Sequence, residues 1–279
     1  MVAASRLPLG AGVCHFRAVR IPYFQVDAFT NRVFGGNPAG VCPLEAWLPD
    51  EVLREIAAEN NLSETAFFVA REGAYDLRWF TPTVEVDLCG HATLAAAFVL
   101  FTELGFPGPK VTFRTKVGEL GATRAGARVS LDFPAWEARR CEEVPANLAD
   151  ALGWVPRELH KTRDYLAIFS TEQEVLSLDP DPAILARLDC LGLICTAPGS
   201  DCDFVSRFFA PGAGVPEDPV TGSAHSTLIP YWSARLGKQQ LFARQLSRRR
   251  GELYCEARGE RVGIGGDAVL YSRAQIEVP

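Results

Sequence analysis

Arg78-Trp-Phe-Thr-Pro82, then Cys89-Gly-His-Ala-Thr93 and an apolar run to Leu104-Gly105, recur in altered form further along the chain. The second copy reads Arg207-Phe-Phe-Ala-Pro211, Thr221-Gly-Ser-Ala-His225 and a run to Leu236-Gly237. The first blocks match at an offset of 129 and the second at 132, so the copies differ by a three-residue insertion in the intervening loop. A strand, a Gly turn and a helix start, repeated once, predict two half-domains facing each other. Each copy puts Gly and small polar residues where a helix begins. That position suits an anion, because first-turn N–H groups have no partner within the helix. The expected active site lies between the halves.

A length of 279 residues accommodates two such halves. Hydrophobic content of 48% with 22% charged residues is that of a globular protein, and apolar runs such as Ala95 to Phe101 are too short to cross a bilayer. A net charge of −6 offers no basic field for a nucleic-acid backbone, and the one basic cluster, Arg244 to Arg250, reads as a solvated loop. Neither a membrane nor a nucleic acid is an expected partner. Eight cysteines include no Cys-x-x-Cys pair and are accompanied by only four His, so neither a disulfide framework nor a metal site is expected. Apolar settings such as Leu193-Ile-Cys195 suit reduced core thiols and a cytoplasmic location. Residues 1–20 lack the apolar core of a signal peptide and read as a loose extension.

Tyr23 to Phe29 alternates as a strand, and the Gly35-Gly-Asn-Pro38 turn leads into a second strand, Ala39 to Leu44. Leu53, Ile56 and Ala57 recur at helical spacing up to Asn60-Asn61, and Thr65 to Ala70 and Leu77 to Thr81 follow as strands. A nearly uncharged helix from about His91 to Leu104 should be buried on almost every face, with short strands at 110–114, 118–124 and 128–133 around it. The stretch Pro134 to Asn147 reads as the connection between halves. Strands are then expected at 165–170, 174–178, 191–196 and 203–209, with a short helix at 182–188. A second buried helix runs from Ser223 to Leu236 and contains Pro230. Strands at 241–245, 252–257, 261–264 and 269–277 finish the copy. The fold class is α+β, with two pseudo-symmetric halves, 1–134 and 135–279, of mostly antiparallel strands around central helices.

Glu64 lies between a helix end and an apolar strand, where burial would raise its pKa and fit it to pass a proton near neutrality. Asp218 precedes the second helix, its backbone stiffened by Pro219. His91 at the first helix start can donate or accept a hydrogen bond, and the helix dipole favours its neutral form. Gly90, Gly222 and Ser223 at the helix starts are candidates for holding a carboxylate, and His225 ranks below His91. Cys89 corresponds to Thr221, so a symmetric two-thiol acid/base pair is absent.

Several spaced motifs, in order, resemble the PhzF-like proteins of the diaminopimelate epimerase superfamily. They are Asp27-Ala-Phe-Thr with Gly36-Asn-Pro-Ala-Gly40, Asn61-Leu-Ser-Glu-Thr-Ala-Phe67, Phe80-Thr-Pro with Cys89-Gly-His-Ala-Thr93, and Phe209-Ala-Pro with Glu217-Asp-Pro-Val-Thr-Gly-Ser-Ala-His225. The resemblance implies two pseudo-symmetric halves, each a β-barrel around a central helix, with the last strand able to return to the first half. It further implies a homodimer, no metal and no organic cofactor. It makes Glu64 the acid/base and gives His91, Asp218, Ser223 and the backbone at Gly90 and Gly222 the substrate's polar groups. The superfamily's racemases use two cysteines, at the positions of Cys89 and Thr221, and this chain keeps only the first. The expected function is a cofactor-independent isomerase of a small carboxylate. The competing reading is a catalytically idle protein that binds small carboxylates or a protein partner on the same fold.

Overall fold

The structure, a computed structural model, describes residues 19–278. Residues 1–18, most of the expected extension, and Cys14 with them, lie outside the described residues. Val19 and Arg20 belong to the first strand instead, where they pair with Val278 and Glu277.

In the first half, β1 (Val19–Ala28) forms the expected hairpin with β2 (Asn37–Leu44). Helix α1 (Asp50–Asn60) then crosses over to β3 (Glu64–Arg71), parallel to β2. β4 (Ala74–Phe80) pairs antiparallel with β3 and with the short β5 (Glu85–Val86). Helix α2 (Gly90–Thr102) carries the chain to β6 (Lys110–Thr115), parallel to β4, and β7 (Gly118–Ala125) and β8 (Arg128–Pro134) complete a meander.

The second half repeats this order. It comprises β9 (Arg139–Arg140), α3 (Ala146–Leu152), β10 (Glu158–Lys161), β11 (Tyr165–Ile168), α4 (Glu172–Leu176), α5 (Pro182–Leu185), β12 (Leu193–Pro198), β13 (Phe204–Ala210) and β14 (Val215–Asp218). Helix α6 (Gly222–Leu236), β15 (Gln240–Gln245), β16 (Gly251–Arg258), β17 (Arg261–Gly266) and β18 (Ala268–Val278) follow. The parallel pairs recur in the same places, β11 with β12 and β13 with β15. β8 and β17, equivalent strands, pair with each other and join the halves into one continuous sheet. The strand that follows each of them crosses over: β9 pairs with β10, and β18 pairs with β1 along its whole length. The C-terminal strand therefore closes the first half.

Two expectations need correction. Glu174 to Leu178 is not a strand: Thr171 accepts from the Glu174 N–H and starts α4 there, with Val175 turned into the core. The stretch 134–147 is not a bare connection, since it carries β9 and the start of α3.

Both central helices are buried as their composition demands. In α2 every residue from Gly90 to Ala97 is buried, and only Phe98 and Thr102 break the rest. The chain reverses just beyond it at Gly105, whose φ of 67° is the left-handed conformation that glycine takes without steric cost. Helix α6 ends in the same way at Gly237, and Pro230 sits within it. No described helix is long and apolar enough to cross a membrane.

Candidate active site

The helices α2 and α6 meet end to end at their N-termini. A Cβ built on Gly90 would lie 2.7 Å from Gly222 Cα, and one on Gly222 would lie 2.8 Å from Gly90 Cα. This approach, closer than any side chain permits, is the physical reason for a glycine at the start of each copy. Neither helix start has a side-chain cap. Their first-turn N–H groups and the positive ends of both dipoles are thus directed at one region between the halves.

That region is a cavity of about 740 Å3, and all six residues expected from the sequence line it: Glu64, Gly90, His91, Asp218, Gly222 and Ser223. Glu64 comes from the first position of β3, where the chain leaves the left-handed Asn61 that ends α1. Its Oε2 lies 3.2 Å from His91 Nε2, though the pair is not aligned as a hydrogen bond. His91 Nδ1 is 3.1 Å from the amide nitrogen of Asn37, which also donates to Asp218 Oδ1 at 2.8 Å and to the Val220 carbonyl at 2.9 Å. Because an amide nitrogen only donates, its two hydrogens are shared among these three acceptors, Nδ1 the most distant, and the proton of the neutral ring sits on Nε2, facing Glu64.

On the other helix, the Thr221 hydroxyl donates to Asp218 Oδ2 at 2.5 Å. Gln245 clamps the same turn, accepting from the Thr221 N–H and donating to the Asp218 carbonyl, both at 2.8 Å. Thr221, the counterpart of Cys89, is therefore committed to holding Asp218. His225 turns away: its Nδ1 bonds the Thr221 carbonyl at 2.8 Å within the helix, and it does not line the cavity.

The electrostatics favour the neutral forms of Glu64, His91 and Cys89. Burial first, and then the negative charge of Asp218, pushes the Glu64 carboxyl up to about 8, against a hydrogen bond from Cys89. Burial likewise raises Asp218, partly offset by Thr221 and Asn37. Burial pushes His91 down to about 3, so the ring stays neutral, and burial with the nearby Glu64 charge holds the Cys89 thiol protonated. Glu64, Cys89 and His91 bring donor atoms within 4.8 Å of one another, a spacing a cation could use. Asn37 Oδ1, His91 Nε2 and Glu64 Oε2 are all buried without an aligned partner, an unusual concentration of unmet polar groups for one spot.

Gln245 was not among the candidates, and Asn37, within the Gly36-to-Gly40 motif, reads from the sequence as part of a hairpin turn. Each betrays itself by strand phase, a polar residue in the inward set: Asn37 with the buried Ala39 and Val41, Gln245 with the buried Leu241 and Ala243. Arg163 also lines the cavity. It is paired with the buried Asp164 at 3.0 Å, stacked over Trp136, and 3.5 Å from the Ser223 hydroxyl.

The raised Glu64 carboxyl ties stability to pH. A carboxyl whose folded pKa lies above its unfolded value favours the native state fully below the unfolded pKa, and this advantage is lost as pH rises through the folded value, here about 8. Glu64→Gln is expected to melt roughly 3–6 °C above the parent at about pH 9, with the gap closing toward about pH 5. Melting curves across that range check this, and a gap independent of pH would show that Glu64 is not held neutral.

Comparison with known proteins gives the chain's family and fold. The family described as phenazine biosynthesis-like protein (PhzC-PhzF) matches residues 26–274. An uncharacterized isomerase of Pseudomonas aeruginosa is 54% identical over 253 residues, covering 91% of this chain and 97% of its own. The crystal structure of a PhzF-family phenazine biosynthesis protein of Enterococcus faecalis superposes with a TM-score of 0.90 at 46% identity, covering 92% of this chain and 99% of that one. A hydroxyproline epimerase of Agrobacterium vitis shares the fold alone, at 11% identity and a TM-score of 0.62, covering 93% of each chain.

Proposed function

Because the chain belongs to the phenazine biosynthesis-like PhzC-PhzF family, and similar proteins in it are named isomerases, we propose that it is a cofactor-independent isomerase. In this reading Glu64 moves a proton between two carbons of a small carboxylate substrate. The observation that carries it is the Glu64 carboxyl itself. It stands half-buried at the cavity wall with its Oε2 enclosed, is raised to about 8, and so is close to evenly poised between giving and taking a proton.

The uncapped starts of α2 and α6, with the Ser223 hydroxyl, hold the substrate carboxylate. The Glu64 carboxylate removes a proton from a carbon next to an unsaturated system. The electron pair moves into that system, where the first-turn N–H groups and dipoles stabilise the developing charge. The proton, now on Glu64, returns to the far carbon of the system, so bond order shifts and nothing is consumed. His91, neutral with its Nε2–H toward Glu64, orients the carboxylate. Asn37 and Asp218 in turn fix the His91 ring. With one thiol and no counterpart, a two-thiol racemisation is not part of the proposal. The family resemblance adds a homodimer, and the reduced thiols a cytoplasmic setting.

A panel of cyclohexadiene and amino-acid carboxylates in deuterated buffer, followed by NMR, tests the reading. At least one should gain carbon-bound deuterium catalytically. Saturable binding of several members with exchange of none would instead identify a binding protein.

A further inference from the structure

Arg244 to Arg250 is only in part the solvated loop its composition suggests: Arg248 and Arg250 are exposed, whereas Arg244 and Arg249 are half-buried. Arg244 and Gln245 end β15, and the turn beyond helps to line a second cavity, of about 370 Å3, distinct from the first. Its wall includes Arg32, Arg244, Arg249 and Arg250, with Phe29 and Glu252, and so draws on both halves.

Two of the arginines are already engaged. Arg249 donates to Asp27 Oδ1 and to the Gly35 and Gly36 carbonyls, each at 2.8 Å. Arg244 pairs with Asp201 and, at 3.2 Å, with Glu252. Among the described residues, Arg32 and Arg250 bond only through their backbones, which leaves two exposed guanidinium groups at the cavity mouth without a protein partner.

The backbone supplies an independent observation. Arg250 has a φ of 57° in the turn between β15 and β16, closed by its N–H to the Ser247 carbonyl at 3.1 Å. Glycine takes that left-handed conformation without steric cost, whereas any side chain there is strained. The glycine of this turn instead stands one residue later, at Gly251, where a Cβ would approach Val220 Cγ2 to 2.4 Å. Phe29, in the same wall, also has a positive φ, of 62°. A cation thus stands at the very position where glycine would be cheapest. Strain of this kind is kept where the side chain has work to do.

We propose that this cavity binds a compact phosphate-class polyanion, a pyrophosphate or a phosphorylated small molecule, between Arg32 and Arg250, with the fixed Arg249 and Arg244 behind them. Arginine suits such a ligand through its planar fork of donors. The site is mechanically joined to the acid cluster. Arg249 holds the carbonyls of Gly35 and Gly36, the next residue is Asn37, and the Ser247 hydroxyl donates to the Pro219 carbonyl beside Asp218.

Titration calorimetry of the full chain with pyrophosphate, at constant ionic strength, tests the proposal. Saturable binding with one pyrophosphate per chain is expected. Arg250→Gly relieves the backbone and should fold at least as well as the parent, yet weaken binding at least tenfold, and Arg32→Ala should do the same. Equal affinity in parent and Arg250→Gly would place the anion elsewhere, for example at the helix ends, and would overturn the proposal. So would a dissociation constant above about 1 mM for the parent.

Discussion

Glu64→Gln is expected to lower substrate carbon–hydrogen exchange by at least about three orders of magnitude, near the upper range for loss of a positioned acid/base group. The amide keeps the shape of the carboxyl and its contact with His91, so the fold and the carboxylate-holding helix ends survive, and binding should change far less than turnover. No neighbour can take over the task. Cys89 is held protonated by burial and by Glu64, and His91 is a neutral ring whose Nδ1 already accepts from Asn37. Asp218 is spent on Asn37 and Thr221. Cys89→Ser should accordingly retain activity within about tenfold. Only the ionised form of Glu64 can abstract a proton, so the rate of that step in the parent should rise with pH through about 8. A Glu64→Gln variant within tenfold of the parent would mean that another base does the work.

The second large effect concerns the helix ends. Gly90→Ala or Gly222→Ala would put a methyl group 2.7 or 2.8 Å from the backbone of the opposite helix, and backbone cannot swing aside as a side chain can. The two helix starts must separate by several tenths of an ångström. The expected costs are about 1–3 kcal/mol of stability and roughly a hundredfold in turnover, because the N–H donors no longer converge on one carboxylate. Chemical denaturation together with the exchange assay measures both. Full activity in either variant would show that the helix ends do not jointly hold the substrate.

The architecture was legible because duplication wrote it twice. The repeat from Arg78 to Gly105 locates both buried helices, and β4 and α2 stand to β6 as β13 and α6 stand to β15. The misreading of Glu174 to Leu178 came from a short apolar segment without enough turns to show a period. The Thr171 cap decided it, and the Thr171-Glu-Gln-Glu174 spacing, a helix-start signature, was the signal in the sequence that went unused. Glu64, His91 and Asp218 could be picked out because they flank the repeated helix starts or a helix-to-strand junction. Asn37 and Gln245 were missed because their roles depend on partners 181 and 27 residues away, as in Asn37 to Asp218 and Gln245 to the Asp218 carbonyl. For Gln245 a polar residue in the inward phase of a strand was the only trace, whereas Asn37 also lay in the Gly36-to-Gly40 motif.

What sets this site apart from a symmetric pair of acids is the asymmetry between its copies. The first helix start contributes a thiol and a neutral imidazole beside Glu64. The second contributes a hydroxyl tied to Asp218, whose charge helps keep Glu64 in its acid form.

The most direct test of the account is an infrared titration of the carboxyl carbonyl band, taken as the difference between the parent and Glu64→Gln. A single protonated-carboxyl band that persists through neutrality and disappears with a midpoint near 8 is the expected result. A midpoint in the ordinary carboxylate range, near 4.5, would contradict a buried Glu64 poised to carry the proton.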